Sequence, residues 1–264
     1  EKLIGQEFSL MSFCDGRHTA GMPIVQDHKR AYDGDRGPNT GGMGTYSDFN
    51  HSLPFLRDSD IEEAQSITRQ VAQALFKETG AYFKGVMYGG FIAVKDGVRL
   101  IEYNALFGDP EAMNVLPIME TNFADVCEAI IRGELKGMKV EFANKATVCK
   151  YVVPEGYPDN PVKGVKIEIG SDRGGHTHDT GHADSSASGV LKTYFASVDQ
   201  RDDGLYLAGS RAVAMVGIAD NLAEAEKLAQ AGVEYVKGPV FYRRDIGTKE
   251  LIQKRVEMMS YLRR

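Results

Sequence analysis

The sequence has 264 residues, 42% of them hydrophobic and 26% charged, a composition typical of globular proteins with room for one large or two modest domains. Its formal net charge of −6 argues against a nucleic-acid partner, because an acidic surface repels phosphates. It has no run of 18 apolar residues, so we expect no membrane partner, and its three widely spaced cysteines favour reduced thiols in the cytoplasm over a disulfide framework.

The first predicted element is a strand over residues 3–13, and a polar, glycine-rich segment follows at residues 27–44. That segment has five glycines and almost no apolar surface, so burial alone cannot offset its ordering entropy. Its glycines can let backbone N–H groups approach a ligand, and its basic side chains can bind phosphate or carboxylate. A flexible surface loop is compatible with the same composition.

A helix and a hairpin are predicted next. The run Ser59-Asp60-Ile61-Glu62 has the pattern of a capping box with Ser at the N-cap, and apolar residues then recur at helical spacing until Gly80, which is expected to end the helix. Two β-rich runs, 85–95 and 98–104, are joined by Asp96-Gly97, which predicts a hairpin.

Two oxygen-bearing side chains lie at the end of the second β-rich run. Alternate residues of a strand share a face and are about 7 Å apart, so Glu102 and Asn104 are predicted to point together, with Ile101 and Tyr103 toward the core. Two such oxygen donors can share a hard cation such as Mg²⁺. A solvated strand face explains the same spacing equally well.

The segment Phe107-Gly108-Asp109-Pro110-Glu111 leaves this strand and turns toward a helix. Pro110 fixes its own φ, and Asp109 and Glu111 stand where a helix N-terminus would begin, so a plain capping turn is one interpretation. A further helix is predicted at 122–132. The residues expected on its apolar side are Val126, Cys127, Ile130 and Ile131.

A polar stretch at 133–145 marks the predicted boundary between two domains, 1–139 and 145–264. The second domain is expected to be small and rich in strands. Its predicted strands lie at 146–153, 164–169, 190–198, 205–208 and 212–219.

Between these strands, residues 170–189 are rich in Gly, Ser, Asp and His. His176, His178 and His182 have a spacing that zinc sites use, but a polar surface loop is the interpretation we favour, because no framework fixes the ligands. An amphipathic helix is predicted at 221–236, and a last helix from about residue 248 to the end. Asn221 and Glu224 are expected to cap the first of these.

Four motifs, at residues 5–9, 27–44, 102–111 and 242–247, give the chain its resemblance to a known family. In this order they resemble phosphoribosylamine–glycine ligases, also called glycinamide ribonucleotide synthetases, of the ATP-grasp superfamily. The resemblance covers essentially the whole chain. It implies an α/β (α+β) fold, in which an ATP-grasp catalytic subdomain precedes a small β-rich C-terminal domain.

The resemblance implies that Glu102 and Asn104 hold Mg²⁺ or Mn²⁺ ions that bridge the phosphates of ATP, the co-substrate. Many members of the family have a glutamine where this chain has Gly90, and an arginine is usual where it has Leu106. Glu7 resembles the acidic residue of the nucleotide pocket, although a charge at a strand edge is its alternative interpretation. The other residues implied in nucleotide binding are Asn39, Gly41, Gly42 and Gly44.

A substrate pocket is implied around the two longest motifs. The residues implied in catalysis are Asp27, Lys29, Asp109 and Glu111. Asp109 would hold the ammonium group of glycine, and Pro110 and Arg211 would contact substrate. For Arg211, a surface salt bridge is an equally good interpretation. Asp33 and Asp35 are interpreted as solvated acids of the glycine-rich segment.

The implied activity is the ATP-dependent ligation of glycine to 5-phosphoribosylamine through glycyl phosphate, a step of purine biosynthesis. The alternatives are a non-catalytic fragment, one piece of a split ligase, and an ATP-grasp ligase for another acid and amine. The chain opens inside a strand pattern, and the family's members carry an N-terminal domain and a nucleotide lid before this point. We therefore expect a missing N-terminal piece, supplied in cis or in trans, and no ligation by these 264 residues alone.

Overall fold

The structure is a computed structural model that describes residues 2–170 and 189–264. Its strands, in chain order, are β1 (Gln6–Cys14), β2 (Thr19–Gly21), β3 (Gln26–Asp27), β4 (Arg30–Tyr32), β5 (Arg36–Asn39), β6 (Gly44–Ser47), β7 (Gly85–Val94), β8 (Gly97–Asn104), β9 (Ala146–Pro154), β10 (Lys166–Ile169), β11 (Val190–Phe195), β12 (Val198–Arg201), β13 (Gly204–Leu207), β14 (Val213–Ala219), β15 (Val236–Lys237) and β16 (Val240–Phe241). Its α-helices are α1 (Asp58–Thr79), α2 (Ala112–Val115), α3 (Phe123–Arg132), α4 (Leu222–Glu234) and α5 (Lys249–Leu262). The mixed helix and strand content confirms the predicted fold class.

The described residues form two compact units. The first comprises Glu1–Gln26, Asn50–Asn144 and Ile252–Arg264, and the second comprises Asp27–Phe49 and Lys145–Leu251. The glycine-rich segment thus belongs to the second unit, although it precedes most of the first in sequence. The domain ranges 1–139 and 145–264 stay a prediction, since compactness does not define family domains. The histidine-rich segment, with His176, His178 and His182, lies outside the described residues.

The first unit is built on an antiparallel four-stranded sheet in the order β2-β1-β7-β8. Helix α1 covers one face, where the hydroxyl groups of Thr68 and Tyr103 lie 2.6 Å apart. The other face is covered over part of its area by α2 and α3, whose side chains join a buried cluster with the strands. Members of that cluster include Met11, Phe13, Tyr88, Val115, Val126 and Ile130.

The capping of α1 differs from the prediction. Asp60, rather than Glu62, supplies the capping carboxylate, which accepts a hydrogen bond from the backbone N–H of Arg57 at 2.8 Å. The helix accordingly begins at Asp58, before the predicted N-cap Ser59. Asp60 is also bound by Arg263 at 2.8 Å, a partner that local sequence cannot reveal.

The predicted hairpin of β7 and β8 is confirmed, with its turn one residue earlier than expected. Val94 lies opposite Gly97, so Lys95 and Asp96 form the two-residue turn. The preceding helix α1 ends as predicted at Gly80, whose φ of 71° is in the left-handed region that glycine tolerates.

A β-bulge interrupts this hairpin. Gly90 lies opposite Glu102, but Phe91 lies opposite Leu100, so Ile101 is the extra residue on β8. Ile101 is 48% exposed, and the prediction that it points toward the core is wrong. Because the bulge adds one residue, strict alternation fails at that position.

Helix α3 is found within a residue of its predicted range, and its N-cap is Asn122, whose side chain accepts a hydrogen bond from the N–H of Ala124 at 2.8 Å. Val126 and Ile130 are buried as expected. Ile131 is 70% exposed, so its predicted place on the apolar side is wrong. One residue advances an α-helix by more than a quarter of a turn, which carries Ile131 off the buried stripe.

The second unit contains two larger sheets. One has the order β11-β14-β9-β6-β3, with β16 paired to the end of β9, and the other has the order β12-β13-β10-β15. The predicted strand at 190–198 is therefore two strands, β11 and β12, in different sheets. Their shared core includes Val152, Ile167, Leu207, Val213 and Val233.

The helix α4 is capped as predicted, because the Asn221 side chain accepts a hydrogen bond from the N–H of Glu224 at 3.0 Å. It ends at Glu234, and Val236 lies in β15 rather than in the helix. Within the described residues, no helix is both long enough and apolar enough to cross a membrane.

Candidate functional site

The residues predicted to form the site are divided between the two units. In the first unit they lie on the sheet face opposite α1. Ser9 pairs with Gly90 and Gly90 pairs with Glu102, so one row across three strands joins these residues. Directly opposite residues of antiparallel strands project from the same face, and Asn104, opposite Tyr88, joins that face as well.

Glu102 and Asn104 are exposed. Throughout residues 2–170 and 189–264, neither side chain makes a hydrogen bond or an ion pair. Gly90, their neighbour on β7, has no side chain, and a Cβ built there would lie 3.3 Å from Cγ of Glu102. The side chain of Glu102 therefore lies over Gly90, in space that a side chain at position 90 would share.

The donor chemistry of this pair fits Mg²⁺ or Mn²⁺. A carboxylate and an amide oxygen are hard donors, and Mg²⁺ often keeps only one or two protein ligands beside water and phosphate oxygens. Among the described residues no group of three or more His, Cys, Asp or Glu side chains could hold an ion. A site built by Glu102 and Asn104 would thus need further ligands from water or from a bound molecule.

The turn after β8 is fastened to the sheet through Glu111. This side chain is 2% exposed, and its Oε1 accepts hydrogen bonds from Ser9 Oγ at 2.9 Å and from the Tyr88 hydroxyl at 2.8 Å. A Cβ at Gly108 would lie 2.6 Å from Oε2 of Glu111, so glycine is required there. The contacts of Glu111 fix the turn, and its predicted catalytic role stays a prediction.

The other members of this turn differ in exposure. Asp109 is exposed and Pro110 is buried, and the peptide bond between them is cis. Leu106 is 54% exposed. Glu7 is also exposed on β1, two residues before Ser9 and therefore on the same face.

In the second unit the glycine-rich segment forms the hairpin β4–β5, a turn at residues 40–43, and β6. Gly42 and Gly44 have φ values of 106° and 148°, whereas Gly41 does not have a positive φ. A Cβ at Gly44 would lie 2.2 Å from the carbonyl oxygen of Cys149 on β9. Glycine at position 44 is therefore a requirement of close packing within this unit.

Arg211 shapes the same turn. Its Nη1 donates hydrogen bonds to the carbonyl oxygens of Gly41, at 2.6 Å, and Gly42, at 3.2 Å. Its guanidinium lies 4.6 Å from the ring centroid of Tyr151. These contacts make Arg211 a support for the turn, and a contact with substrate phosphate stays a prediction.

Asp27 and Lys29 lie at the start of the segment. Oδ1 of Asp27 accepts a hydrogen bond from the N–H of His28 at 2.7 Å, and the Lys29 side chain is exposed. The Lys29 carbonyl oxygen accepts hydrogen bonds from Thr40, through its N–H at 2.7 Å and its hydroxyl at 2.9 Å. These bonds close the base of the β4–β5 hairpin, on which Asn39 is exposed.

The interpretation of Asp33 and Asp35 as solvated acids is wrong. Asp33 accepts a hydrogen bond from the N–H of Arg244 at 2.9 Å, and Asp35 accepts one from Arg243 at 3.1 Å. No role was predicted for Arg243, since two of its partners, Asp35 and the carbonyl oxygen of Arg30, lie 208 and 213 residues away in the sequence. Ser9 and Tyr88 were missed for the same reason, because only the folded sheet brings them to Glu111.

Two family models match the chain. The model described as "Phosphoribosylglycinamide synthetase, ATP-grasp (A) domain" matches residues 1–112, and "Phosphoribosylglycinamide synthetase, C domain" matches residues 147–249.

Curated relatives named phosphoribosylamine–glycine ligase match over the whole chain. The protein from Methanocaldococcus jannaschii is 50% identical over 264 residues, and that from Methanosarcina acetivorans is 48% identical over 263 residues. These matches cover 100% of this chain but 56% of each relative. The chain therefore spans about half the length of the curated relatives it matches.

Solved structures give the same picture of the fold. A crystal structure of phosphoribosylamine–glycine ligase from Thermotoga maritima matches 93% of this chain and 56% of its own, with a TM-score of 0.76 and 30% identity. The biotin carboxylase domain of a thermophilic 2-oxoglutarate carboxylase matches 98% of this chain and 51% of its own, with a TM-score of 0.61. At 16% identity that second match shows likeness of fold alone.

Proposed function

The chain belongs to the phosphoribosylglycinamide synthetase family, and from this premise we propose that it forms part of a ligase that joins glycine to 5-phosphoribosylamine. The proposed products are N1-(5-phosphoribosyl)glycinamide, ADP and phosphate, in purine biosynthesis. The observation that carries the proposal is the exposed pair of oxygen donors, Glu102 and Asn104, on the sheet face to which Glu111 fastens the following turn.

The chemistry requires activation of a carboxylate. An oxygen of the glycine carboxylate attacks the γ-phosphorus of ATP, and ADP leaves with the electrons of the broken bond. The amine of phosphoribosylamine then attacks the carbonyl carbon of glycyl phosphate and loses a proton, and phosphate leaves. Neither step forms a bond to the protein, so its contribution is positioning and stabilisation of charge.

The first unit supplies the phosphate-transfer and glycine groups in this proposal. Glu102 and Asn104 would hold Mg²⁺ or Mn²⁺, which when bound neutralises charge on phosphate oxygens. The exposed carboxylate of Asp109 binds the ammonium of glycine. Glu111 holds the turn that carries Asp109, through its bonds to Ser9 and Tyr88. In the same proposal Glu7 contacts the nucleotide and Pro110 contacts substrate.

In the second unit the proposal assigns anion binding to the glycine-rich segment. Its exposed Lys29 offers an ammonium group, and Asp27 offers a carboxylate for the substrate amine or hydroxyls. The proposal also assigns contacts with nucleotide phosphates to the turn that Arg211 supports. The backbone N–H groups of Gly41 and Gly42 donate to the Tyr157 hydroxyl at 3.3 Å and to the Thr40 hydroxyl at 3.1 Å, so a phosphate would exchange for these bonds. The residues proposed for that contact are Asn39, Gly41, Gly42 and Gly44. The three free cysteines fit the proposed cytoplasmic location.

Because the chain spans about half of its relatives, we propose that the remaining part must be supplied in cis or in trans for activity. The test combines the chain with the part of the Methanocaldococcus relative that it does not match, fused or as a separate chain, and detects product by mass spectrometry. Product is expected only from the combination, and only when ATP, glycine and phosphoribosylamine are all present. A folded combination that forms none would overturn the proposal.

The same assay separates the rival functions. Replacing glycine with other amino acids, and phosphoribosylamine with other amines, shows whether another ligation is preferred. ADP release with a different pair of substrates would identify a different ATP-grasp ligase. No nucleotide binding by the folded combination would identify a non-catalytic protein.

A further inference from the structure

The second unit contains a buried arginine to which the proposed chemistry gives no role. The Arg243 side chain is 0% exposed. Its Nε and Nη2 donate to the two carboxylate oxygens of Asp245 at 2.8 and 2.7 Å. Its Nη1 donates to Oδ1 of Asp35 and to the carbonyl oxygen of Arg30, both at 3.1 Å.

These bonds join the β4–β5 hairpin to the C-terminal motif at residues 242–247, and two backbone bonds reinforce them. The N–H of Gly34 donates to Oδ2 of Asp245 at 2.8 Å, and the N–H of Arg244 donates to Oδ1 of Asp33 at 2.9 Å. We call the group of Arg243, Asp245, Asp33 and Asp35 the Arg243 clasp.

The β4–β5 hairpin buries little apolar surface, so polar contacts contribute much of its stabilisation. Of residues 30–37, Ala31 is buried and the others are exposed or half-buried. Tyr32, which packs at 5.9 Å from Phe241, is itself 49% exposed. A segment with so little buried apolar area needs other interactions to offset the entropy of ordering it.

The clasp is also supported from β9. Lys150, which is fully buried, donates from Nζ to the carbonyl oxygen of Arg244 at 2.8 Å, and to Glu226 at 2.6 Å and Gln230 at 2.8 Å on α4. The motif residue next to Arg243 is therefore anchored to the central strand of its sheet. Burial lowers the pKa of Lys150, and Glu226 partly offsets that effect.

We propose that Arg243 is a positioning residue for the glycine-rich segment: it fixes the β4–β5 hairpin and thereby the substrate-facing groups at its base. The path from the hairpin to these groups is short, because Thr40, just after the hairpin, donates hydrogen bonds to the carbonyl oxygen of Lys29, just before it. The turn at Gly41 and Gly42 follows directly. The proposal rests on the function proposed above, which places this segment against substrate.

The geometry requires arginine rather than a positive charge alone. A planar guanidinium can bind both oxygens of Asp245 and reach Asp35 and the Arg30 carbonyl oxygen at once, whereas a lysine ammonium is a single point. Arg243→Lys therefore keeps the charge and loses part of the clasp. Asp35→Asn removes one charge, and asparagine tolerates the φ of 57° at that position.

The test is hydrogen–deuterium exchange on the folded chain. Both variants are expected to speed exchange of the amides in residues 30–42 about tenfold, because each weakens the ionic hydrogen bonds of Arg243: lysine loses donors, and asparagine keeps an acceptor without its charge. Amides of β1 and β7 should be unchanged. Asp199→Asn, at an exposed acid of β12, is the matched control. Unchanged exchange at 30–42 in Asp35→Asn would overturn the clasp even if Arg243→Lys fails to fold.

A kinetic measurement tests the positioning role in the chain combined with the missing part of its relative. Asp35→Asn is expected to raise KM for a substrate several-fold, with Asp199→Asn unchanged. Faster exchange with unaltered KM and kcat would overturn the positioning role. Inactivity of the unaltered combination would instead refute the proposed function, and the exchange experiment would still decide whether the clasp orders the segment.

Discussion

Gly90 lies directly opposite Glu102 in the ladder of β7 and β8, and an added Cβ at Gly90 would come within 3.3 Å of Cγ of Glu102. The absent side chain leaves room for the exposed Glu102 side chain to lie over Gly90. On the same row, Ser9 binds Glu111, which fixes the turn bearing Asp109. The proposed metal ligand and the anchor of the turn proposed to bind glycine therefore share one face of one sheet.

Substitution of Glu102 tests the metal role. Glu102→Ala removes the only carboxylate of the proposed pair, so Mg²⁺-dependent ADP release by the completed ligase should fall on the order of 100-fold or more. Glu128→Ala, at an exposed carboxylate of α3, should leave the rate unchanged. Near wild-type ADP release by Glu102→Ala, with glycine and phosphoribosylamine present, would show that the pair holds no essential ion.

Leu106→Arg tests the prediction, drawn from the family resemblance, that an arginine at this position favours activity. Because Leu106 is 54% exposed, an arginine fits there without displacing the core. Its guanidinium regains paired donors for phosphate or carboxylate, so we expect higher turnover by the completed ligase. Turnover that is unchanged or lower would show that this chain compensates for the missing arginine elsewhere.

The hydroxyl of Tyr88 is expected to matter for stability. Tyr88→Phe leaves the buried Glu111 carboxylate with one fewer donor, which should lower the free energy of unfolding by about 1–3 kcal/mol. Urea unfolding measures the change. Tyr261→Phe is the control, because Tyr261 is 78% exposed and should change stability little. Equal midpoints for Tyr88→Phe and the wild-type chain would contradict the role assigned to this bond.

The Arg243 clasp should weaken in acid. Burial alone would raise the pKa of Asp245, but the bonds from Arg243 and Gly34 outweigh it and lower the pKa from 3.8 to about 2. Since the folded pKa lies below the unfolded one, the stabilisation is complete above about pH 4 and is lost as the pH falls toward 2.

Urea unfolding between pH 2 and about 6 checks this expectation. The wild-type chain should lose stability over the acid range, and Asp245→Asn should lose less there because its side chain cannot titrate. Asp199→Asn should follow the wild-type curve. Identical acid dependence of the wild-type chain and Asp245→Asn would show that Asp245 does not contribute.

Sequence alone predicts those features that depend on neighbours in the chain. The Asn221–Glu224 cap, the left-handed Gly80 and the β7–β8 hairpin are local, and each was predicted to within a residue. The capping role of Asp60 was missed because the N-cap residue, Arg57, is not of a type that usually caps a helix. The second partner of Asp60, Arg263, lies 203 residues away in the sequence.

In the candidate site, too, features set by neighbours in the chain were predicted and features set by distant residues were not. Motif order identified Glu102 and Asn104, and alternation along β8 placed them on one face. The bulge at Ile101 could not be predicted, since it depends on how β8 pairs with β7. Likewise, Asp35 looked solvated because Arg243, its partner, lies 208 residues away in the sequence.

The central claim is that the completed chain ligates glycine through glycyl phosphate, and transfer of an oxygen isotope from glycine to phosphate tests it most directly. If one oxygen of the glycine carboxylate attacks ATP, glycine labelled with ¹⁸O in its carboxylate must pass one labelled oxygen to the phosphate released with each product. The chain completed with the missing part of its relative is incubated with labelled glycine, ATP and phosphoribosylamine, and the phosphate is analysed by mass spectrometry. The proposed function predicts one ¹⁸O atom per phosphate, in step with glycinamide product. Product formed with unlabelled phosphate, or phosphate released without product, would contradict it.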